Sequence, residues 1–121
     1  LQAMLYYSDH GEDANISHNP DVFKYNMVRI PMFVYLSPDY RQAFPTQART
    51  LKSHAQQFFT NDMIYDTVAG LLQAPSNHYE ACQDFSSPDY AFTRDTLTTM
   101  MGQRRLRDDP YLSGHTDDDP A

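Results

Sequence analysis

Apolar residues fall in four blocks along the chain. In the first, Ala3, Met4, Leu5, Tyr6 and Tyr7 follow one another with little alternation; in the second, Ile30, Met32, Phe33, Val34, Tyr35 and Leu36 do the same. Uninterrupted runs of this length suit strands covered on both faces in a parallel or mixed sheet, so strands are predicted near 3–8 and 30–37. Pro31 is tolerated at a strand's beginning or on an edge. The third and fourth blocks carry the helical period instead. Ala48, Leu51, Ala55, Phe58 and Phe59 share one stripe, and Met63, Ile64, Val68, Leu71 and Leu72 form a second buried set. Helices near 47–59 and 61–73 follow, capped by Thr46 and by Thr60 or Asn61, with Asp62 in the first turn of the second and Gly70 allowing close packing. Ser37-Pro38-Asp39 predicts a short helical turn through Tyr40 to Phe44, with serine as N-cap and proline at the first helical position. The fold class is α/β, with both helices expected on the faces of the sheet.

Between the two strands lies a polar loop, 9–28, punctuated by Gly11, Asp13, Asn15, Ser17, Asn19 and Pro20. Twenty structureless residues inside a compact domain tend to be functional. The loop opens on Asp9-His10-Gly11-Glu12 at the carboxyl end of the first strand, where open α/β sheets hold their ligands. An adjacent carboxylate and imidazole offer one oxygen and one nitrogen to a divalent metal such as zinc or manganese. Gly11 lets the backbone turn sharply. His18, in a stretch too polar to be core, can return to the same pocket as a third nitrogen. The chemistry this suggests is Lewis-acid polarisation of a phosphoryl or sulfuryl oxygen. Glu12 and Asp13 read as solvated turn acids in preference to acceptors behind the metal ligands, and Lys24 and Arg29 as surface charges in preference to groups that hold a substrate phosphate.

Tyr6-Tyr7-Ser8-Asp9-His10-Gly11-Glu12, a loop with His18, then Arg29-Ile30-Pro31-Met32-Phe33-Val34-Tyr35-Leu36-Ser37-Pro38-Asp39-Tyr40 resemble the C-terminal part of the phosphoethanolamine transferases, in the sulfatase branch of the alkaline phosphatase superfamily. Thr60 to Leu72 also looks like that family's following helix. The resemblance covers residues 1–75 well and 76–110 more loosely. It implies a partial three-layer sandwich of the alkaline-phosphatase type, with residues 1–103 as the C-terminal portion of a catalytic domain. It implies Asp9 and His10 as metal ligands, zinc as the metal, and His18 as a catalytic residue that contacts a second metal or the phosphoryl group. The implied reaction moves phosphoethanolamine from a phospholipid donor to lipopolysaccharide, on lipid A or its core, through a threonine nucleophile. It also implies the periplasmic face of the inner membrane. No threonine here matches the nucleophile motif, so the chain is expected to be a fragment, inactive alone. A sulfatase or phosphoglycerol transferase would share the Asp-His pair. A non-catalytic interaction domain is the reading from another class, with self-association through exposed sheet edges.

The remainder of the sequence is less informative. Residues 76–91 read as irregular, and Ser87-Pro88-Asp89 suggests a weak helix running to Gly102, with Leu97, Met100 and Met101 filling core gaps. His54 reads as a packed or exposed helix histidine, and His78 and Cys82 lack partners at metal-ligand spacing. From Arg104 the chain reads as a polar, flexible tail in which His115 stands beside aspartates. Net charge is −7, and Asp108, Asp109, Asp117, Asp118 and Asp119 concentrate it at the end. Arg104-Arg105-Leu106-Arg107 is the single basic cluster, which disfavours nucleic acid as a partner. One cysteine allows no intrachain disulfide. Hydrophobic residues make up 40%, mean hydropathy is −0.66, and no run reaches the roughly 20 apolar residues of a membrane span, so the chain by itself is expected to be soluble.

Overall fold

The computed structural model describes residues 1–19, 21–74 and 76–111. Expectations for Pro20, Pro75, His115 and the aspartates at 117–119 therefore fall outside the described residues. The chain divides into two compact units, Leu1–Tyr40 and Arg41 onward. The described residues are mixed α/β, with two small antiparallel sheets and a few short helices.

In the first unit, β1 (Ala3–Tyr7) pairs with β2 (Met32–Leu36), from Ala3 opposite Leu36 to Tyr7 opposite Met32. The predicted strands are present, but they pair antiparallel. An unbroken apolar run signals burial and says nothing of strand direction. Met4, Tyr6, Phe33 and Tyr35 stand on one exposed face, where Tyr6 and Phe33 are directly opposite with ring centroids 5.9 Å apart. Ser37 ends β2 and starts α1 (Pro38–Ala43). Its amide donates to the Gln2 carbonyl at 2.8 Å, its hydroxyl donates to Gln2 Oε1 at 2.8 Å, and the same oxygen accepts the Tyr40 amide at 3.0 Å. The predicted cap thus also latches the helix start to the beginning of β1.

In the second unit, α2 spans Pro45–Ser53, with Phe44 at the N-cap and Pro45 at the first position; Thr46 is not the cap. A proline there loses no hydrogen bond and pre-sets the helical φ. α2 stops at Ser53, six residues short of the predicted end. His54 leaves the helix, donates from Nδ1 to the Phe85 carbonyl at 2.8 Å and packs its ring on Phe85 and Tyr90. Phe58 and Phe59 still reach the core of Met63, Leu97 and Leu106, but from a segment outside any helix or strand.

Residues 61–63 form a 3-10 turn that leads into α3 (Ile64–Leu71). Its buried set departs from the predicted one: Leu72 is 71% exposed, whereas Asp66 and Thr67 are buried. These polar side chains bind the irregular segment 79–87. Asp66 Oδ1 accepts the Glu80 amide at 2.6 Å, and Thr67 Oγ1 accepts the Phe85 amide at 3.0 Å. Asp84, also buried, accepts the Tyr79 hydroxyl at 2.7 Å and both the amide (2.8 Å) and hydroxyl (2.6 Å) of Ser86. Buried polar groups require such partners, so the segment is fixed with no regular structure beyond the 3-10 turn Ala81–Gln83.

The helix expected up to Gly102 is absent. Thr98–Thr99 (β3) pairs with Arg104–Arg105 (β4) in an antiparallel hairpin. Leu97, 0% exposed, and Leu106 anchor its two ends in the core, and the Leu106 amide donates to the Leu97 carbonyl at 3.0 Å. The fold therefore continues past Arg104, where the sequence suggests a flexible tail. Thr60 does not cap α3, because its hydroxyl donates to the Thr98 carbonyl at 2.6 Å.

Candidate functional site at the end of β1

β1 runs out at Tyr7 into a turn held by its own polar side chains. The Ser8 hydroxyl donates to the His10 carbonyl at 2.7 Å, and Asp9 Oδ1 accepts the His10 amide at 3.0 Å. The Gly11 amide then donates to the Met27 carbonyl at 2.7 Å, bringing the turn against residues 26–29. A Cβ at position 11 would run into the backbone carbonyl oxygens of Asn26 and Arg29. Glycine is needed here for close approach between two backbone segments, which is a tighter requirement than turning alone.

Asp13 organises the rest of the loop, and it is 5% exposed although the sequence suggests a solvated turn acid. Its amide and carbonyl pair with Ser17 in an isolated antiparallel bridge, at 3.1 and 2.8 Å. Asp13 Oδ1 accepts the amides of Asn15 (3.0 Å) and Ile16 (3.2 Å) and lies 3.4 Å from Lys24 Nζ, and Oδ2 accepts Asn26 Nδ2 at 3.2 Å. The Asn15 amide is the chief cause that holds this carboxyl below its ordinary value. Burial opposes it, and Asn26, Ile16 and Lys24 reinforce it. Lys24 thus serves the loop's internal structure. Aspartate is a common turn former, but the burial of Asp13 depends on Lys24 and Asn26 arriving from 11 and 13 residues away.

The Asp13–Ser17 bridge folds the chain back, with Ser17 in the left-handed region at φ 56°, and delivers His18 beside His10. The two imidazole centroids are 4.6 Å apart at an interplanar angle of 38°. His18 thus lies beside His10. His10 Nδ1 lies 2.9 Å from the Gly11 carbonyl, and His18 Nδ1 lies 3.1 Å from Glu12 Oε1. A carbonyl and a carboxylate only accept, so in both contacts Nδ1 carries the proton. This is the arrangement by which an outer partner orients a metal-binding histidine.

Asp9 Oδ2 is 3.9 Å from His10 Nε2, and both side chains are solvent-accessible. Two ligands on one tetrahedral zinc stand about 3.4 Å apart, given bonds of about 2.0–2.1 Å. The Asp9–His10 pair fits as two such ligands after a small closure. Among the described residues, no three His, Cys, Asp or Glu side chains converge to hold a metal ion. His54 is committed to Phe85, His78 is exposed, and Cys82 Sγ sits 3.9 Å from Glu80 Oε2.

In the second unit a separate cleft of about 440 Å³ is lined by Gly70, Gln73, Tyr79, Asp84 and Ser87, among others. The Tyr79 hydroxyl is held well above its ordinary pKa, first by burial and then by its bond to Asp84; burial alone does the same for Tyr90.

No family model matches the chain, and no solved structure does. Among curated proteins it is 28% identical over 97 residues to the phosphoethanolamine transferase EptA of Salmonella typhimurium, an overlap of 71% of this chain and 17% of that protein. It is 29% identical over 93 residues to EptA of Escherichia coli K12, covering 68% of this chain and 16% of the relative. The chain is therefore similar to one stretch, 16% to 17% of the length, of phosphoethanolamine transferases.

Proposed function

We propose that this chain is the C-terminal portion of a metal-dependent phosphoethanolamine transferase that modifies lipopolysaccharide at lipid A or its core. The observation that carries the reading is the turn after β1, where Asp9 and His10 face one point and His18 returns beside them on a loop built by Asp13. The similarity to EptA proteins supports the transferase context.

Zinc, or manganese in its place, would supply Lewis-acid polarisation of a phosphoryl oxygen. Asp9 and His10 would be two of its ligands, with the remaining ligands and the threonine nucleophile supplied by other parts of a longer protein. The Gly11 carbonyl orients the His10 ring and Glu12 orients that of His18; His18 would contact the transferred phosphoryl group or a second metal. In that longer protein β1 and β2 would belong to the central sheet of a three-layer sandwich, with the donor a phospholipid and the location the periplasmic face of the inner membrane. Apolar side chains on both faces of the hairpin favour such a setting. Among the described residues, no helix is long and apolar enough to cross a membrane.

Thermal denaturation with and without zinc tests the metal assignment. Zinc should raise the Tm of the chain modestly, since two ligands of about four bind weakly. His10→Ala and Asp9→Asn should abolish the rise. An equal rise in both variants, or none in the parent, overturns the assignment. An antibody to residues 40–75 tests the rest: a band several times larger than 14.0 kDa in the membrane fraction of the source cells is expected, and a band at 14.0 kDa outside it refutes the reading.

A further inference from the structure

We infer that the cleft at the C-terminal end of α3 binds a small primary alkylammonium compound, held by the Gln73 side-chain carbonyl and the Tyr79 hydroxyl oxygen in front of the buried Asp84 carboxylate. The argument begins at the helix end. The Gln73 amide donates to the Gly70 carbonyl at 3.1 Å and the Ala74 amide to the Ala69 carbonyl at 3.0 Å. These bonds make Gln73, with φ of 53°, the left-handed residue of a Schellman turn. Glycine is the usual residue there, because a side chain is disfavoured at positive φ. Packing does not account for the glutamine, since it is exposed. Its side chain is nevertheless placed. Nε2 donates to the same Gly70 carbonyl at 3.0 Å, which leaves Oε1 as an acceptor at the wall of the cleft.

The rest of the wall has the same chemistry. The Tyr79 hydroxyl gives its proton to Asp84 Oδ2 at 2.7 Å, so its oxygen can only accept from a group in the cleft. Burial first, and then that bond, keep the proton on the phenol, with Ser87 acting the other way. Asp84 is 2% exposed, and its bonds come from the neutral side chains and backbone of Tyr79 and Ser86. Among the described residues no Lys, Arg or His pairs with it, and none lines the cleft. Asp66 is buried as well, is met by the Glu80 amide, and acts on the Tyr79 phenol beside Asp84. Two buried carboxylates answered by neutral donors leave negative charge uncompensated behind the cleft.

Size and donor set select the ligand. About 440 Å³ suits a small organic molecule rather than a bare ion. One carboxylate in the wall also falls short of the oxygen set that holds calcium. An ammonium group with N–H bonds donates to Gln73 Oε1 and Tyr79 Oη while offsetting the Asp84 charge, and charge-assisted bonds are the strong ones. A neutral hydroxyl supplies the donor without the charge, and a quaternary ammonium the charge without the donor. The Gln47 side-chain amide, which makes no hydrogen bond among the described residues, can meet a hydroxyl elsewhere on the same molecule. This inference stands on the second unit alone and does not require the transferase reading.

Titration of the isotope-labelled 121-residue chain with ethanolamine, followed by NMR, tests it. Ethanolamine should shift the resonances of Gln73, Ala74 and Tyr79 saturably. Ethylene glycol, in which a hydroxyl replaces the ammonium, and tetramethylammonium, which has no N–H, should each need a concentration roughly tenfold higher or more. Gln73→Gly gives the Schellman turn its preferred residue, so this variant should keep or raise Tm while weakening ethanolamine binding roughly tenfold. The proposal is overturned if no saturable shift appears, if ethylene glycol or tetramethylammonium binds as tightly, or if Gln73→Gly binds as the parent does. A fall in the Tm of that variant would also overturn it, by showing that the side chain serves the helix end. Zinc shifts, read separately, are expected to be the same in variant and parent, so either proposal can fail alone.

Discussion

Gly70→Ala sets two effects of opposite sign against each other within α3. On helix propensity alone, alanine is favoured over glycine by about 1 kcal/mol in a helix interior. The tertiary structure reverses the sign, because a Cβ on residue 70 would coincide with the carboxylate of Asp84. Asp84 is 2% exposed and cannot swing away freely, since Oδ1 holds the amide and hydroxyl of Ser86 and Oδ2 holds the Tyr79 hydroxyl. Overpacking of this kind costs about 1–3 kcal/mol, and each bond lost to a buried charged group about 1.5–3 kcal/mol. If one bond breaks, the net effect after the propensity gain is a loss of about 3 kcal/mol, or roughly 10 °C in Tm for a domain of this size. Urea and thermal denaturation followed by circular dichroism read both quantities. Removing the carboxylate first should restore the local preference: in an Asp84→Ala background, Gly70→Ala is expected to be neutral or stabilising by up to about 1 kcal/mol. A Gly70→Ala variant as stable as the parent would refute the reasoning, and equal costs in both backgrounds would show that the clash lies elsewhere.

Two further predictions concern protonation. The depressed Asp13 carboxyl contributes stability that is fully present above its ordinary value of 3.8 and is lost as pH falls through the lower folded value. The Asn15 and Ile16 amide shifts, followed by NMR, should accordingly titrate with a midpoint below 3.8 and stay flat in Asp13→Asn; a midpoint at or above 3.8 would refute the loop assignment. Tyr79 and Tyr90 have folded values above the ordinary 10.0, so the stability they contribute is complete below pH 10.0 and is lost as pH rises through those values. Phenolate absorbance should show both lagging behind exposed tyrosines, with Asp84→Asn advancing Tyr79 alone, whereas a single midpoint for all nine tyrosines would contradict their burial.

The sequence is most legible where local chemistry decides. Ser37-Pro38-Asp39 gives a helix start with the expected serine cap, and the two apolar runs give two strands. Asp9, His10 and His18 stand out as polar side chains at a strand end, and the structure brings the two histidines together. Asp13 is less legible, because its burial comes from Lys24 and Asn26, whose approach no local pattern encodes. The helical period over 47–59 misleads for a related reason. Phe58 and Phe59 do face the core, but an apolar stripe records burial rather than conformation, and His54 turns out toward Phe85.

Met100 and Met101 mark the same boundary at the other end of the chain. Composition suggests core filler, yet hydrogen bonds to Asp62, nearly 40 residues upstream, hold them at an exposed turn. What the sequence determines by itself is the local grammar: which runs are apolar, where helices start, and which acids and imidazoles lie close along the chain. What only the tertiary structure decides is pairing at a distance, including the antiparallel direction of β1 and β2, the burial of Asp13, Asp66 and Asp84, and the hairpin in place of a helix. The physical reason is that a hydrogen bond or an apolar contact between distant residues contributes nothing until the chain closes, so short-range periodicity carries no record of it.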